Sequence, residues 1–256
     1  MNSQQSIHRV SHEIKRRKLE VLRVADLTPR MRRVTLHGPE LAGFISLGTD
    51  DHVKLLFATT PEEQAALDNF MPGANADGPK PAMRDYTPRR YDPASGELDI
   101  DFVLHGDGPA ATWAAQAAVG QHLYIAGPRG SMIVPDMFDS YLLIGDETAL
   151  PAIARRLQEL APNRRALVVV EIEDAAERQA LASQAQVEVI WVLRGEQSLL
   201  DVTRRLTLPD GSLYAWVATE SALSRKVRRV LLDEFNLDET AVKAAGYWRL
   251  ADTDDE

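Results

Sequence analysis

Apolar and polar positions alternate in short runs through the first half of the chain, over residues 19–25, 31–37, 52–57, 97–104 and 122–127. Turn residues separate the runs, as in Gly38-Pro39 and Pro93-Ala94-Ser95-Gly96. A two-residue period puts one face of each run in a core and the other in water. Several such runs at this spacing predict an antiparallel β-barrel. One connection, residues 58–82, is long and rich in Ala, Gly, Pro and Asn, a length that usually marks a functional or mobile loop. From Tyr141 onward the pattern changes. Near-continuous apolar runs at 141–144, 166–171, 187–193, 213–218 and 242–249 alternate with helical periodicity at 149–160 and 221–235. Pro151 suits the first turn of the earlier helix. Buried strands with intervening helices predict a parallel sheet covered on both faces. The fold class is therefore two-domain, a β-barrel followed by an α/β domain, with 1–137 and 138–256 as expected domains.

Composition narrows the chemistry. The chain has 256 residues, 45% of them apolar, enough to bury a substantial core. Its net charge of −9 repels phosphate backbones, so no nucleic-acid partner is expected. The charge divides unevenly, −2 over residues 1–137 and −7 over the rest, which makes the N-terminal domain the better host for an anion. There is no cysteine, so disulfides, thiolate metal sites and thiol nucleophiles are excluded. The six histidines show no convergent metal pattern, and no metal is expected. No apolar segment follows the basic quartet Lys15-Arg16-Arg17-Lys18, which reads as a solvated face or as a patch for an anionic partner. No run approaches the roughly 18 apolar residues of a membrane span. The expectation is a cytoplasmic monomer with an acidic, frayed tail at 252–256.

The residues that carry chemistry begin with Met83–Tyr91, M-R-D-Y-T-P-R-R-Y. As one strand it would put Arg84, Tyr86 and Pro88 on one face and Asp85, Thr87 and Arg89 on the other. An arginine clamp, an aromatic face and a hydroxyl suit a ligand with a phosphate and a flat ring. An ordinary charged surface strand is the alternative. Further on, D-F-V-L-H-G-D-G-P-A-A-T-W runs from a strand through a Gly-containing loop into a helix of small residues. The free amides of such a helix start favour a pyrophosphate. A second tight turn follows in A-G-P-R-G-S.

Together these stretches resemble the siderophore-interacting proteins of the ferredoxin-reductase superfamily. R-x-Y-T-x-R at 84–89 resembles the superfamily's flavin motif. The resemblance continues through L-I-G-D-E-T-A-L-P-A at 143–152, A-W-V-A-T-E at 215–220 and G-Y-W-R at 246–249. Within the family, the sequence is similar to the enterobacterial ferric-chelate reductases, which use NADPH. The resemblance implies a flavoenzyme that takes hydride from NADPH (NADH possible) onto FAD. It then reduces Fe(III) in a ferric siderophore or related chelate. The alternatives are a reductase of free flavin or of a carrier protein, or a non-catalytic protein that holds a ferric siderophore.

By the same resemblance, Arg84 holds the FAD pyrophosphate, and Tyr86 and Thr87 meet the isoalloxazine and ribityl groups. Gly108, Ala110, Ala111 and Thr112 supply amides and a hydroxyl to the pyrophosphate. His105 either packs near the flavin or caps its strand. Gly145, at the first βα turn of the second domain, is the expected approach point for the dinucleotide. The turn lacks G-x-G-x-x-G, and Asp146 and Glu147 would repel phosphates there. Glu220 resembles the family's acidic residue near the nicotinamide, although Thr219 stands where the family usually has glycine. Thr87 and Glu220 are the expected catalytic residues. Arg194 is either an anchor for the 2′-phosphate of NADPH or a solvated side chain. Trp248 covers the flavin or nicotinamide pocket or belongs to the core. Lys54, Arg129 and Arg249 are candidate contacts for an anionic chelate. Strand alternation would instead turn Lys54 outward, and Arg129 has the FAD phosphate as its other candidate.

Overall fold

The computed structural model describes residues 6–69 and 80–250. It divides into two compact units, Met1–Val134 and Pro135–Glu256. The N-terminal unit contains β1 (His8–Ser11), β2 (Arg16–Thr28), β3 (Met31–His37), β4 (Val53–Phe57) and β5 (Ala82–Tyr86). It continues with β6 (Pro88–Asp92), β7 (Glu97–Val103), β8 (His122–Ala126) and β9 (Gly130–Ile133). Seven of these form one antiparallel sheet in the order β5-β4-β8-β2-β3-β7-β6, while β1 pairs with β9. β5 and β6 lie at opposite edges yet are consecutive, joined by Thr87 alone. The sheet therefore curls until its two edges meet at that corner, an open barrel.

Two sequence expectations change here. Residues 83–91 are not one strand: the chain leaves one sheet edge at Tyr86 and joins the other at Pro88, so Pro88 does not extend the face of Arg84 and Tyr86. The 58–82 connection contains a helix, α1 (Pro61–Asp68), started by Pro61 and by the Thr60 hydroxyl accepting from Glu63 N. Residues 70–79 of that connection, and the acidic tail, lie outside the described residues.

β7 shows why the alternation reads as a barrel strand. Leu98, Ile100 and Phe102 are fully buried in the core with Leu19, Val21, Val34 and Leu36. Glu97, Asp99 and Asp101 line the other face and pair with arginines of β2, β3 and β6. Arg23 clamps Glu97 with two bonds of 2.8 Å, Arg90 reaches Glu97 and Asp99 at 2.7 Å, and Arg33 clamps Asp101.

The C-terminal unit contains β10 (Ser140–Asp146), α3 (Leu150–Glu159; α2 is Pro109–Gln116 in the first unit) and β11 (Arg165–Ile172). These lead to β12 (Gln186–Leu193), α4 (Leu199–Arg204), β13 (Leu213–Glu220), α5 (Ser221–Arg229) and β14 (Val242–Trp248). The five strands are all parallel, in the order β12-β11-β10-β13-β14. α5 ends in a wider turn over Val230–Glu234, and the short α4 is an element the apolar pattern did not reveal. The strand order reverses between β10 and β13, and the crevice at their carboxyl ends is the usual ligand position in such sheets.

Gly145 lies in that crevice, and its lack of a side chain serves packing. A Cβ there would stand 2.4 Å from Ala149 Cβ and 2.8 Å from Ala218 O. Gly145→Ala should destabilise the protein by about 1–3 kcal/mol through overpacking. Denaturation of the apoprotein checks this, and an unchanged midpoint would return Gly145 to a purely ligand-facing role.

The charge ladder on β7 makes a second prediction. Hydrogen bonds from Arg23 and then Arg90 pull the Glu97 carboxyl from its ordinary 4.5 down to about 2. The folded value lies below the unfolded one. Its stabilisation is therefore complete above pH 4.5 and is lost as pH falls through 2. Glu97→Gln should flatten the fall in melting temperature across that window; an acid limb identical to wild type would show that the ladder adds nothing.

Candidate functional site

Three aromatic rings connect β5, β7 and α2. Tyr86 lies 4.6 Å from Phe102, and Phe102 lies 5.6 Å from Trp113, measured between ring centroids. Burial pushes the Tyr86 phenol up to about 12, against the pull of the nearby Arg84 charge. It therefore stays neutral at physiological pH. Arg84 faces Leu55 across the β4–β5 pair and is exposed. Its guanidinium donates to Met83 O, and it has no carboxylate partner among the described residues. Thr87 is 7% exposed, and its hydroxyl makes no hydrogen bond to any described residue. A nearly buried hydroxyl without a protein partner and an exposed cation without a counter-ion are both open to a polar ligand.

The helix α2 carries Trp113, the far ring of that aromatic chain. Gly108 occupies the cap position and offers no side-chain acceptor, and Pro109 opens the helix. The amides of Ala110 and Ala111 thus face outward from the first turn without an internal cap. Gly108 has φ −66°, which any residue adopts, and a Cβ there would meet nothing within 4 Å. The space in front of the helix is open. Thr112 spends its amide on Gly108 O but keeps an exposed side chain. His105 is exposed two residues past the end of β7, and its ring caps nothing among the described residues. The aromatic chain links Tyr86 to α2 through Phe102 and Trp113, and the donor types of Arg84, Thr87 and the α2 start fit a flavin with its pyrophosphate.

Lys54 follows strand alternation. Val53 and Leu55 are fully buried, while Lys54 points outward and pairs with Asp85 at 2.9 Å. Arg129 is exposed beside the β1–β9 pair, where its carbonyl accepts from His12 N. Next to it lies a buried cluster that sequence reasoning did not find. Ser131 donates to Asp51 at 2.6 Å and accepts from Leu47 N and His12 Nε2. Because the Ser131 proton goes to the carboxylate, His12 must carry its proton on Nε2.

In the C-terminal unit, Asp146 is the central residue of the crevice. It is 1% exposed and accepts four hydrogen bonds: Thr148 N and Oγ1 on one oxygen, Thr219 Oγ1 and Trp248 Nε1 on the other. It thereby joins the carboxyl ends of β10, β13 and β14. Trp248 keeps 38% of its surface exposed, so it is a rim residue and not a core one. Glu220 caps α5 by accepting from Leu223 N, and its other oxygen is buried without a hydrogen-bond partner. Burial works to raise the Glu220 carboxyl, but the amides of Ala222, Leu223 and Ser221, with the charge of Arg225, outweigh it and lower the group. Arg249 follows Trp248 and is exposed.

Arg194 keeps 38% of its side chain exposed and is held in ion pairs on every nitrogen. Its three nitrogens meet Glu171 at 3.2 Å, Glu173 at 2.7 Å and Glu147 at 2.8 Å. Glu147 also accepts from Glu173 N. The starts of the helical segments after β10, β11 and β13 are capped by the chain's own Asp146, Asp174 and Glu220. An incoming phosphate finds those amides already satisfied by anions.

No helix of the described residues is long and apolar enough to cross a membrane. Residues 20–132 match the siderophore-interacting FAD-binding domain, and residues 138–251 match the siderophore-interacting protein family. The chain is 35% identical to the NADPH-dependent ferric-chelate reductase of Escherichia coli K12, over 94% of this chain and 95% of that one. It is 31% identical to the ferric vibriobactin reductase ViuB of Vibrio cholerae, over 94% and 93%. The crystal structure of a siderophore utilization protein from T. fusca superposes with a TM-score of 0.86 at 35% identity, covering 98% of this chain and 99% of that one. A flavin-type site in an open barrel, joined in one chain to a parallel α/β unit, and relatives matched over nearly their whole length place this chain in the siderophore-interacting protein family.

Proposed function

We propose that the chain is a cytoplasmic, monomeric ferric-chelate reductase that passes electrons from NADPH or NADH through FAD to Fe(III) in a siderophore or similar chelate. In this reading residues 1–137 hold FAD and residues 138–256 hold the dinucleotide. The observation that carries it is a helix start without a side-chain cap, together with an Arg84 that has no carboxylate partner and a Thr87 hydroxyl that has no hydrogen bond among the described residues. A pyrophosphate and a flavin ring would satisfy all three.

Arg84 and the amides of Ala110 and Ala111 bind the pyrophosphate, Gly108 leaves room for it, and Thr112 adds a hydroxyl. Tyr86 supplies an aromatic face held by Phe102, and its neutral phenol donates without adding charge. Thr87 donates to or accepts from the reactive end of the ring, and His105 flanks it. FAD bound there converts a two-electron hydride into the single electrons that Fe(III) accepts. Gly145, Glu220 and Trp248 border the dinucleotide crevice, where the buried Glu220 oxygen is free to accept a carboxamide donor. Lys54, Arg129 and Arg249 offer positive charge to an anionic chelate on an otherwise acidic protein. Fe(II) binds oxygen chelators weakly, so reduction releases the metal.

The test is anaerobic. The purified protein should be yellow, NADPH or NADH should bleach it, and added ferric chelate should restore the flavin spectrum. A colourless protein that cannot be reconstituted with FAD would remove the reading, as would a reduced flavin indifferent to every ferric chelate.

Two substitutions separate the flavin roles. Arg84→Ala should weaken FAD binding by roughly tenfold or more, because a charge-assisted clamp is lost. Unchanged binding by flavin fluorescence would refute that placement. Thr87→Val keeps the volume, so FAD should remain bound while its reduction slows several-fold. Wild-type reduction kinetics would show that Thr87 does not address the ring.

A further inference from the structure

The second strand of a doubly wound sheet commonly ends in an acidic residue that accepts from the adenosine ribose, while an arginine nearby accommodates the 2′-phosphate of NADPH. In this sheet β10 is the first strand and β11 the second. Both residue types are present at its carboxyl end, and they are spent on each other. Arg194, after β12, is surrounded by Glu147, Glu171 and Glu173, which leaves two negative charges in excess around one guanidinium. Glu147 and Glu171 are largely buried, with 9% and 16% of their side chains exposed, whereas Glu173 is 38% exposed.

We propose that this four-residue cluster removes any advantage of a 2′-phosphate, so that the chain takes NADH at least as readily as NADPH. The inference rests on the dinucleotide reading above. A phosphate monoester carries about −1.5 to −2 charges at pH 7. Even on the guanidinium's remaining N–H groups it sits beside three carboxylates that already engage Arg194. A ribose hydroxyl instead donates to Glu171 or Glu173 and leaves every ion pair in place. The surroundings add to the repulsion, since Asp146 and Asp174 cap the turns that follow β10 and β11.

Calorimetric titration of the FAD-loaded protein tests this without turnover. The ligand pairs are NAD+ with NADP+, and 5′-AMP with adenosine 2′,5′-bisphosphate, each differing only by the 2′-phosphate. In the wild type the phosphorylated member of each pair should bind no tighter than its partner. Glu173→Gln is exposed enough to fold normally and loosens the hold on one Arg194 nitrogen. It should improve NADP+ relative to NAD+ by about three- to fivefold, the range of a partly exposed ion pair. Glu171→Gln combined with Glu173→Gln should move the ratio further in the same direction. A wild-type preference for NADP+ of tenfold or more would overturn the inference. A ratio unmoved by either glutamine variant would overturn it as well. If neither NADH nor NADPH bleaches the flavin, the hydride-donor reading itself fails and takes the inference with it. A bleach by both with a steep NADPH preference sinks the inference alone.

Discussion

Between Tyr86 and Pro88 the chain has one residue in which to leave one edge of a seven-stranded sheet and join the other. Adjacent Cα atoms are about 3.8 Å apart, so the two edges cannot lie far from each other at that point. The curl of the barrel, the burial of Thr87 and the nearness of Arg84 to the aromatic chain follow from this one constraint. So does the closing end of the barrel, where α2 begins after the β7 loop. The flavin-type site is assembled at the place where the sheet is forced to turn its corner.

Helix starts in the chain differ in what caps them. In the C-terminal unit Asp146, Asp174 and Glu220 occupy the amides that a phosphate would use. In the N-terminal unit α2 begins with glycine and proline and has no side-chain cap. A helix start left without its own acceptor is a standing attraction for an anion. The split in net charge, −2 against −7, points the same way on a larger scale. Among the described helices, α2 is the one opened by glycine and proline, while three turns of the second unit carry acidic caps.

Much of this was legible in the sequence. Alternation located β3, β4, β7 and β8, and apolar runs located all five strands of the parallel sheet. Candidate residues on the R-x-Y-T stretch and the Gly108 helix stood out because an arginine, an aromatic and a hydroxyl lie close together in sequence before a helix of small residues. What the sequence hid depends on contacts between distant residues. A run such as 83–91 looks like one strand because periodicity carries no information about which edge a strand joins. Arg194 gave no sign of its three glutamates, because each lies on a different strand end or turn. α4 was missed because six residues are too few for a helical period, and α1 because its eight residues bury only Leu67. Trp248 read equally well as core or cover until its bond to Asp146 fixed it at the rim.

The four hydrogen bonds on Asp146 also constrain the order in which the second unit is completed. Thr148 is two residues away and available at once, but Thr219 follows by 73 residues and Trp248 by 102. On a ribosome the chain emerges at about 5–20 residues per second. Asp146 therefore waits several seconds at least for its last donor. A carboxylate cannot be sealed at 1% exposure while half its acceptor sites are empty, because its desolvation would be uncompensated. The crevice therefore stays hydrated during synthesis and dries only when the final strand docks. The C-terminal unit matures last, after the N-terminal unit has had its whole sequence available to fold.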